Sequence, residues 1–174
     1  MSLRLVHTSA LTRPELEAVR ALLLDAFDGD FGDEDWEHSL GGLHAIVDDG
    51  EGVVAHGSVV MRRVRHGGRW RRVGYVEGVG VRSDARRTGL GGRVMGALED
   101  VITAAYDFGA LGASDDGAAL YAARGWQMWS GRISALGPDG VVRLREEEGC
   151  AYVWGLPDGP DDELLFDWRD GDVL

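Results

Sequence analysis

The chain has 174 residues, a formal charge of −12 and a hydrophobic fraction of 44%, the profile of one globular domain over residues 1–174. No apolar run approaches the ~20 residues that span a bilayer and no signal-peptide pattern opens the chain, so a cytoplasmic protein without membrane contact is expected. The single Cys150 excludes an intrachain disulfide and a cysteine-based metal cluster, and no metal is expected.

All 18 basic residues are arginine, and ten of them lie between Arg62 and Arg93, whereas the N-terminal third and the tail are acidic. Net acidity argues against a nucleic-acid partner, because phosphate contacts need a basic face. The uneven placement predicts a basic centre for an anionic ligand and acidic borders for a cationic one.

In chain order, Arg4 to Thr8 alternates as a short strand. Thr12-x-x-Glu15 is a capping box with Pro14 in the first turn, opening a helix through Leu16, Val19, Leu22, Leu23 and Phe27. Asp28 to Trp36 follows, glycine-broken, with two aromatics among five carboxylates; it suits a polyamine and leads into a short helix near Glu37 to Leu40. Leu43 to Val47 and Val53 to Val64 read as antiparallel strands joined through Asp48-Asp49-Gly50. A turn at His66-Gly67-Gly68 leads to a third strand ending at Val81, and a helix to about Phe108, capped by Gly109, comes next. Ala110 to Ala113 is a short buried strand. Asp115 or Asp116 caps a helix through Leu120, Tyr121 and Arg124, which Gly125-Trp126 breaks. Gln127 to Leu136 and Cys150 to Trp154 give two more strands. The acidic tail from Asp158 carries Leu164, Leu165, Phe166 and Trp168 and should pack. The order β-α-α-β-β-β-α-β-α-β-β predicts an α/β (α+β) protein with a mixed sheet and helices on both faces.

The stretch from Tyr75 to Leu98 organises the chain. A strand ends in a turn rich in Arg and Gly and passes directly into a helix with an apolar stripe. Backbone N–H groups at a helix start are unpaired and hold anions, glycines let a phosphate approach closely, and Arg86 and Arg87 add forked donors. This predicts a pyrophosphate cradle, with the carboxylate of Glu77 just before it. A nucleoside-triphosphate loop would need Gly-Lys-Ser/Thr, and the chain has no lysine. A dinucleotide motif fits poorly, because Gly78-x-Gly80 lies inside the strand and Ser83 holds the third glycine position. What does match is Arg86-x-x-Gly89-x-Gly91 at the helix start.

Val79 to Val81 with that turn, followed by Ala119-Leu120-Tyr121-Ala122-Ala123-Arg124-Gly125-Trp126, resembles the GNAT acetyltransferase superfamily. From about Arg4 onward the chain resembles, more closely, the aminoglycoside 2'-N-acetyltransferases. The marks are Gly29-Asp30-Phe31, Asp35-Trp36-Glu37-His38-x-Leu40-Gly41-Gly42, Gly74-Tyr75-Val76-Glu77-Gly78-Val79 and Asp167-Trp168-Arg169-x-Gly171-Asp172-Val173. The resemblance implies a GNAT fold: a central mixed, mostly antiparallel twisted sheet with splayed central strands. It implies acetyl-CoA as cofactor, held by Val79, Gly80, Val81, Arg86, Arg87, Thr88, Gly89, Leu90 and Gly91. It also implies a homodimer.

The implied chemistry is acetyl transfer to an aminoglycoside 2'-amine, giving antibiotic resistance. An aminoglycoside ammonium must lose a proton before it attacks a thioester. Glu77 is the candidate general base through one or more waters, an effect worth ~10²–10⁴. The Val79 N–H is the candidate oxyanion donor. Tyr121 is the candidate acid for the departing thiolate, a tyrosine near pKa ~10 facing a thiol near ~8.5. Recognition of the cationic sugar falls, by resemblance, to Asp30, Asp35, Glu77, Gly78, Gly112, Glu146, Glu147, Asp172 and the carboxylate of Leu174. Gly112 stands where the family pattern has serine, and Leu174 where some relatives have tryptophan. Acetylation of another polyamine or an N-terminal amine, and a sensor without catalysis, are the alternative readings.

Overall fold

A computed structural model describes residues 1–114, 116–157 and 163–174. It is a mixed α/β structure with a ten-strand sheet, and the backbone divides into two compact units. One comprises Met1–Val60 and Val76–Val101, the other Met61–Tyr75 and Ile102–Leu174. Among the described residues no helix is long and apolar enough to cross a membrane.

The first unit begins with β1 (Ser2–His7), α1 (Arg13–Ala26) and α2 (Asp33–His38), followed by β2 (Leu43–Asp48). It also holds the start of β3 (Val53–His66), the end of β4 (Arg69–Val81) and most of α3 (Leu90–Ala105). The capping box forms as expected: Glu15 accepts from the Thr12 N–H at 2.8 Å and from its hydroxyl at 2.6 Å. α1 buries Val19, Leu22 and Leu23, and Val19 and Leu23 join Leu11, Phe31 and Ile46 in one apolar cluster. The strands β1, β2 and β3 pair antiparallel, with Leu5 opposite Ala45 and Ala45 opposite Gly57. Two glycines let the helices come down on the sheet. A Cβ at Gly57 would stand 2.7 Å from Val94 on α3, and one at Gly80 3.0 Å from Leu23 and Ala26 on α1. The two helices therefore cover opposite faces.

α2 starts earlier than the helix expected near Glu37. Asp33, Glu34 and Asp35 fill its first turn, where carboxylates complement the helix dipole, and Asp35 Oδ2 accepts from the Gly32 N–H at 2.7 Å.

In the second unit β5 (Phe108–Gly112) runs parallel to β4, with Val73 opposite Phe108 and Tyr75 opposite Ala110. β9 (Ala151–Trp154) pairs antiparallel with β5, and β6 (Gln127–Met128) with β9. Further along, β10 (Glu163–Asp167) lies between β3 and β7 (Arg132–Gly137), parallel to β7, and β8 (Gly140–Arg143) closes a hairpin on β7. Between β5 and β6 lies the short α4 (Ala118–Ala123).

Four expectations need correction here. α3 ends at Ala105, and Gly109 is a strand residue rather than a cap. A Cβ there would stand 3.0 Å from Trp126 and 3.1 Å from Ile102. The strand expected over Gln127 to Leu136 is two strands, because the chain bends at Trp129, whose indole donates to the Arg132 carbonyl at 3.2 Å. β8 and β10 are additional strands. Gly117 occupies the N-cap of α4, Asp116 precedes it in a turn, and Asp115 lies outside the described residues, as does the tail segment 158–162.

Candidate active site

Within the first unit, β4 carries Glu77 to Val81 straight to the glycine-arginine turn. Glu77, Gly78 and Val79 are half-buried. Gly78 has φ +54°, a left-handed residue within a strand, as at a glycine bulge. A side chain there would meet Ser39 Oγ at 3.0 Å and Leu23 at 3.2 Å, so both conformation and space require glycine.

After Val81 a single 3₁₀ turn, Ser83–Ala85, leads to Arg86, Arg87 and Thr88. Arg87 has φ +62° and Gly89 φ +87°. α3 opens at Leu90, and the first bond back into it runs from the Arg93 N–H to the Gly89 carbonyl at 3.1 Å. Leu90, Gly91 and Gly92 thus supply the N–H groups that a helix start leaves without intrahelical partners. The two arginines divide their work. Arg86 donates to the Ala26 carbonyl at 2.9 Å, tying the turn to the end of α1, and to the Val81 carbonyl at 3.4 Å. Arg87 is exposed. Arg82, which sequence reasoning passed over, pairs with Asp49 at 3.0 Å and Asp84 at 2.6 Å and so braces the turn from its other side.

Of the acidic residues in this unit, Asp30 is exposed and Asp35 half-buried. Asp35 spends one carboxylate oxygen on its own helix cap.

The second unit gathers the other acceptor candidates. Glu147, in the turn Arg145–Glu147, has its carboxyl pushed up by burial, then by the negative charges of Asp172 and Glu146, while Arg169 pulls it down. Carboxylates from two distant segments therefore share one field. Residues missed in the sequence hold this arrangement in place. Arg62, only 4% exposed, bonds Asp167 Oδ1 at 2.8 Å and the Asp167 carbonyl at 2.7 Å, and also reaches the Val173 carbonyl. Its guanidinium lies over the rings of Tyr75 (4.9 Å) and Phe166 (5.1 Å). Arg169 also lies over the Tyr75 ring, 5.2 Å from its centroid, and donates to the Asp172 carbonyl at 3.0 Å. No local signal marked Arg62, which stands beside Arg63 and Arg65 at the arginine-rich end of β3. Its partners, about a hundred residues away, were not legible.

Gly112 lies against the end of this segment: a Cβ there would be 3.2 Å from the Leu174 backbone carbon and 3.4 Å from the Tyr75 hydroxyl. Tyr121, 7% exposed, packs against Trp126 at 6.3 Å and Tyr152 at 6.1 Å between ring centroids. Gly117 makes room for it, since a Cβ there would stand 2.8 Å from the Tyr121 ring.

The profile of the Acetyltransferase (GNAT) family matches residues 10–126. An aminoglycoside 2'-N-acetyltransferase of Mycolicibacterium fortuitum is 46% identical over 98% of this chain and 90% of its own length. The chain belongs to the aminoglycoside 2'-N-acetyltransferase family of the GNAT acetyltransferases. Solved structures agree on the fold. A GCN5-related N-acetyltransferase from Kribbella flavida matches with a TM-score of 0.59 and 26% identity over 75% of this chain, which spans 35% of that longer protein. A GNAT family acetyltransferase from Brucella melitensis in complex with acetyl-CoA matches with a TM-score of 0.60 and 14% identity over 94% of each chain.

GNAT acetyltransferases use acetyl-CoA, and the residues present fit it. The left-handed Arg87 and Gly89, the N–H groups of Leu90 to Gly92 and the exposed Arg87 side chain make an all-donor, cationic turn suited to a pyrophosphate. When bound, acetyl-CoA supplies an activated thioester carbonyl.

Proposed function

We propose that this protein transfers the acetyl group of acetyl-CoA to the 2'-amine of aminoglycoside antibiotics and so confers resistance to them. The observation that supports the acceptor class is the shared field of Glu146, Glu147 and Asp172, which suits a polycation. Asp30, Asp35 and Glu77 supply further carboxylates, Gly78 and Gly112 backbone contacts, and Leu174 the last contact of the tail.

In this reading the turn from Arg86 to Gly91 grips the pyrophosphate, and the backbone of Val79, Gly80 and Val81 aligns the pantetheine arm. Glu77 takes the proton from the acceptor ammonium through water. The Val79 N–H faces the negative charge that builds on the acetyl oxygen, and the Tyr121 hydroxyl meets the departing sulfur. Glu77→Gln should lower kcat by ~10²-fold or more and leave coenzyme affinity nearly unchanged. Abolished coenzyme binding would mean Glu77 has another role.

The regiochemistry has a direct test. A panel of aminoglycosides is incubated with acetyl-CoA and thiol release is followed. Compounds with a 2'-amine should turn over, while 2'-hydroxy compounds should be inert. Equal rates for both would overturn the assignment. In this reading the enzyme works in the cytoplasm, with acetyl-CoA as its acetyl donor.

A homodimer is part of the same proposal. In the second unit the exposed Trp70, Leu136 and Trp168, with the exposed Arg63 and the half-buried Asp167, line a shallow pocket of about 360 Å³. An apolar patch of this kind, rimmed by charge, supports burial against a second copy.

A further inference from the structure

A hydrogen-bonded line crosses the first unit and ends on the backbone of the proposed catalytic strand. The Gly41 N–H donates to Thr8 Oγ1 at 2.9 Å, and Thr8 Oγ1 lies 2.7 Å from His44 Nε2. His44 Nδ1 lies 2.8 Å from His56 Nε2, and His56 Nδ1 lies 2.8 Å from the Gly78 carbonyl oxygen. Both imidazoles are fully buried.

The last acceptor fixes the direction of every bond. A carbonyl only accepts, so His56 carries its proton on Nδ1. Burial keeps both imidazoles neutral, so His56 Nε2 is bare and must accept from a protonated His44 Nδ1. His44 Nε2 is then bare and accepts the Thr8 hydroxyl proton at 2.7 Å, with the Gly42 carbonyl the hydroxyl's more distant acceptor at 3.3 Å. All four bonds point one way, towards Gly78, and chains of this kind strengthen each member.

Gly78 is where such an anchor has an effect. The Gly78 carbonyl and the Val79 N–H belong to one planar trans peptide and point in opposite directions. Holding the oxygen therefore aims the N–H. Donation into the carbonyl also makes that N–H a stronger donor. Gly78 itself, lacking a side chain at φ +54°, is the joint of β4 least able to hold its own plane. Ser58, two residues from His56 on the same face of β3, donates to the preceding carbonyl of Glu77 at 3.4 Å. Side chains of β3 thus hold both peptide planes that flank the glycine.

We propose that His56, set in its tautomer by His44 and Thr8, is a positioning residue for acetyl transfer, clamping the Gly78–Val79 peptide so that the Val79 N–H meets the developing oxyanion. This rests on the reading of Val79 as the oxyanion donor.

The test is infrared difference spectroscopy of acetyl-CoA labelled with ¹³C at the acetyl carbonyl, bound to wild type, His56→Leu and His56→Asn, together with steady-state kinetics. In wild type the bound carbonyl stretch should fall below its value in water-free solvent, reporting the N–H donor. His56→Leu should reverse most of that shift and lower kcat by about 10- to 100-fold, somewhat less than deleting an oxyanion donor outright. Its affinity for free coenzyme A, which lacks the carbonyl, should not change. His56→Asn, whose amide nitrogen takes the place of Nδ1, should keep most of both the shift and the rate. An unchanged shift and kcat in His56→Leu would overturn the clamp while leaving Val79 in its role. No shift in wild type would overturn the role of Val79 itself, and the clamp with it. If His56→Leu does not fold, ¹⁵N NMR of the wild-type imidazoles decides: a proton on Nδ1 of both histidines supports the clamp, and a proton on Nε2 of His56 overturns it.

Discussion

Leu174 fills the space that a side chain at Gly112 would take, with its backbone carbon 3.2 Å from the position of the missing Cβ. At that distance a neighbour has to give way. Gly112→Ser should therefore push the Leu174 segment off its seat, since the Tyr75 hydroxyl, 3.4 Å from the same point, closes the other side. The expected result is overpacking of about 1–3 kcal/mol and a several-fold rise in KM for the aminoglycoside, with KM for acetyl-CoA unchanged. Kinetics with each substrate varied in turn would check this; a change confined to acetyl-CoA would contradict it.

Arg86 and Arg87 should separate when each is changed to alanine. Arg87 is exposed in a left-handed conformation, and its loss should weaken coenzyme binding about tenfold with no shift in the melting temperature. Arg86 ties the turn to the Ala26 carbonyl, so its loss should lower the melting temperature as well. Calorimetric titration of coenzyme A alongside thermal melts distinguishes the two.

The legibility of these features differed with the distance of the interaction. The capping box, the three central strands and the glycine-arginine turn rest on local patterns and were readable from the chain. Helix α2 starts at Asp33, ahead of the helix expected near Glu37, because the three carboxylates of its first turn complement the helix dipole. Strand β10 was read only as a packed tail, since its partners in β3 and β7 are distant in sequence. The histidine line was missed for the same reason. His44 and His56 each stand inside an apolar strand, a visible oddity. Only the hairpin register, with Ile46 opposite His56 and His44 opposite Ser58, brings the two rings within reach.

Glu147 should show a conflict between stability and function. Burial and the charges of Asp172 and Glu146 push its carboxyl up, so its folded value lies above the unfolded one. Stability from that difference is present at low pH and lost as pH rises through the folded value. Glu147→Gln should thus raise the melting temperature at pH 7 and, by removing one carboxylate, raise KM for a polycationic antibiotic by about tenfold. A melt and a kinetic run on one preparation suffice; a variant less stable and equally active would contradict the shared acidic field.

The buried histidines predict a specific acid sensitivity. Burial, chiefly, holds His44 down at about 4 and His56 at about 3, with the charge of His7 adding to the first and that of His44 to the second; the Gly78 carbonyl bond partly opposes the shift in His56. Unfolded imidazoles take protons near pH ~6.5, so below that pH the unfolded chain binds protons that the folded chain refuses. The stability is complete above pH ~6.5 and falls as pH drops towards 4, by on the order of 3 kcal/mol for each histidine at pH 4. Carboxylates held low by their partners, such as Glu15 at about 2, begin to give up their contribution only below pH ~5, and Glu147 changes in the opposite sense. The interval between pH ~6.5 and ~5 therefore isolates the histidine pair. Urea midpoints measured across it should fall steeply in wild type and much less in the His44→Gln, His56→Asn double variant. Parallel slopes in the two proteins would mean that the imidazoles are not held neutral.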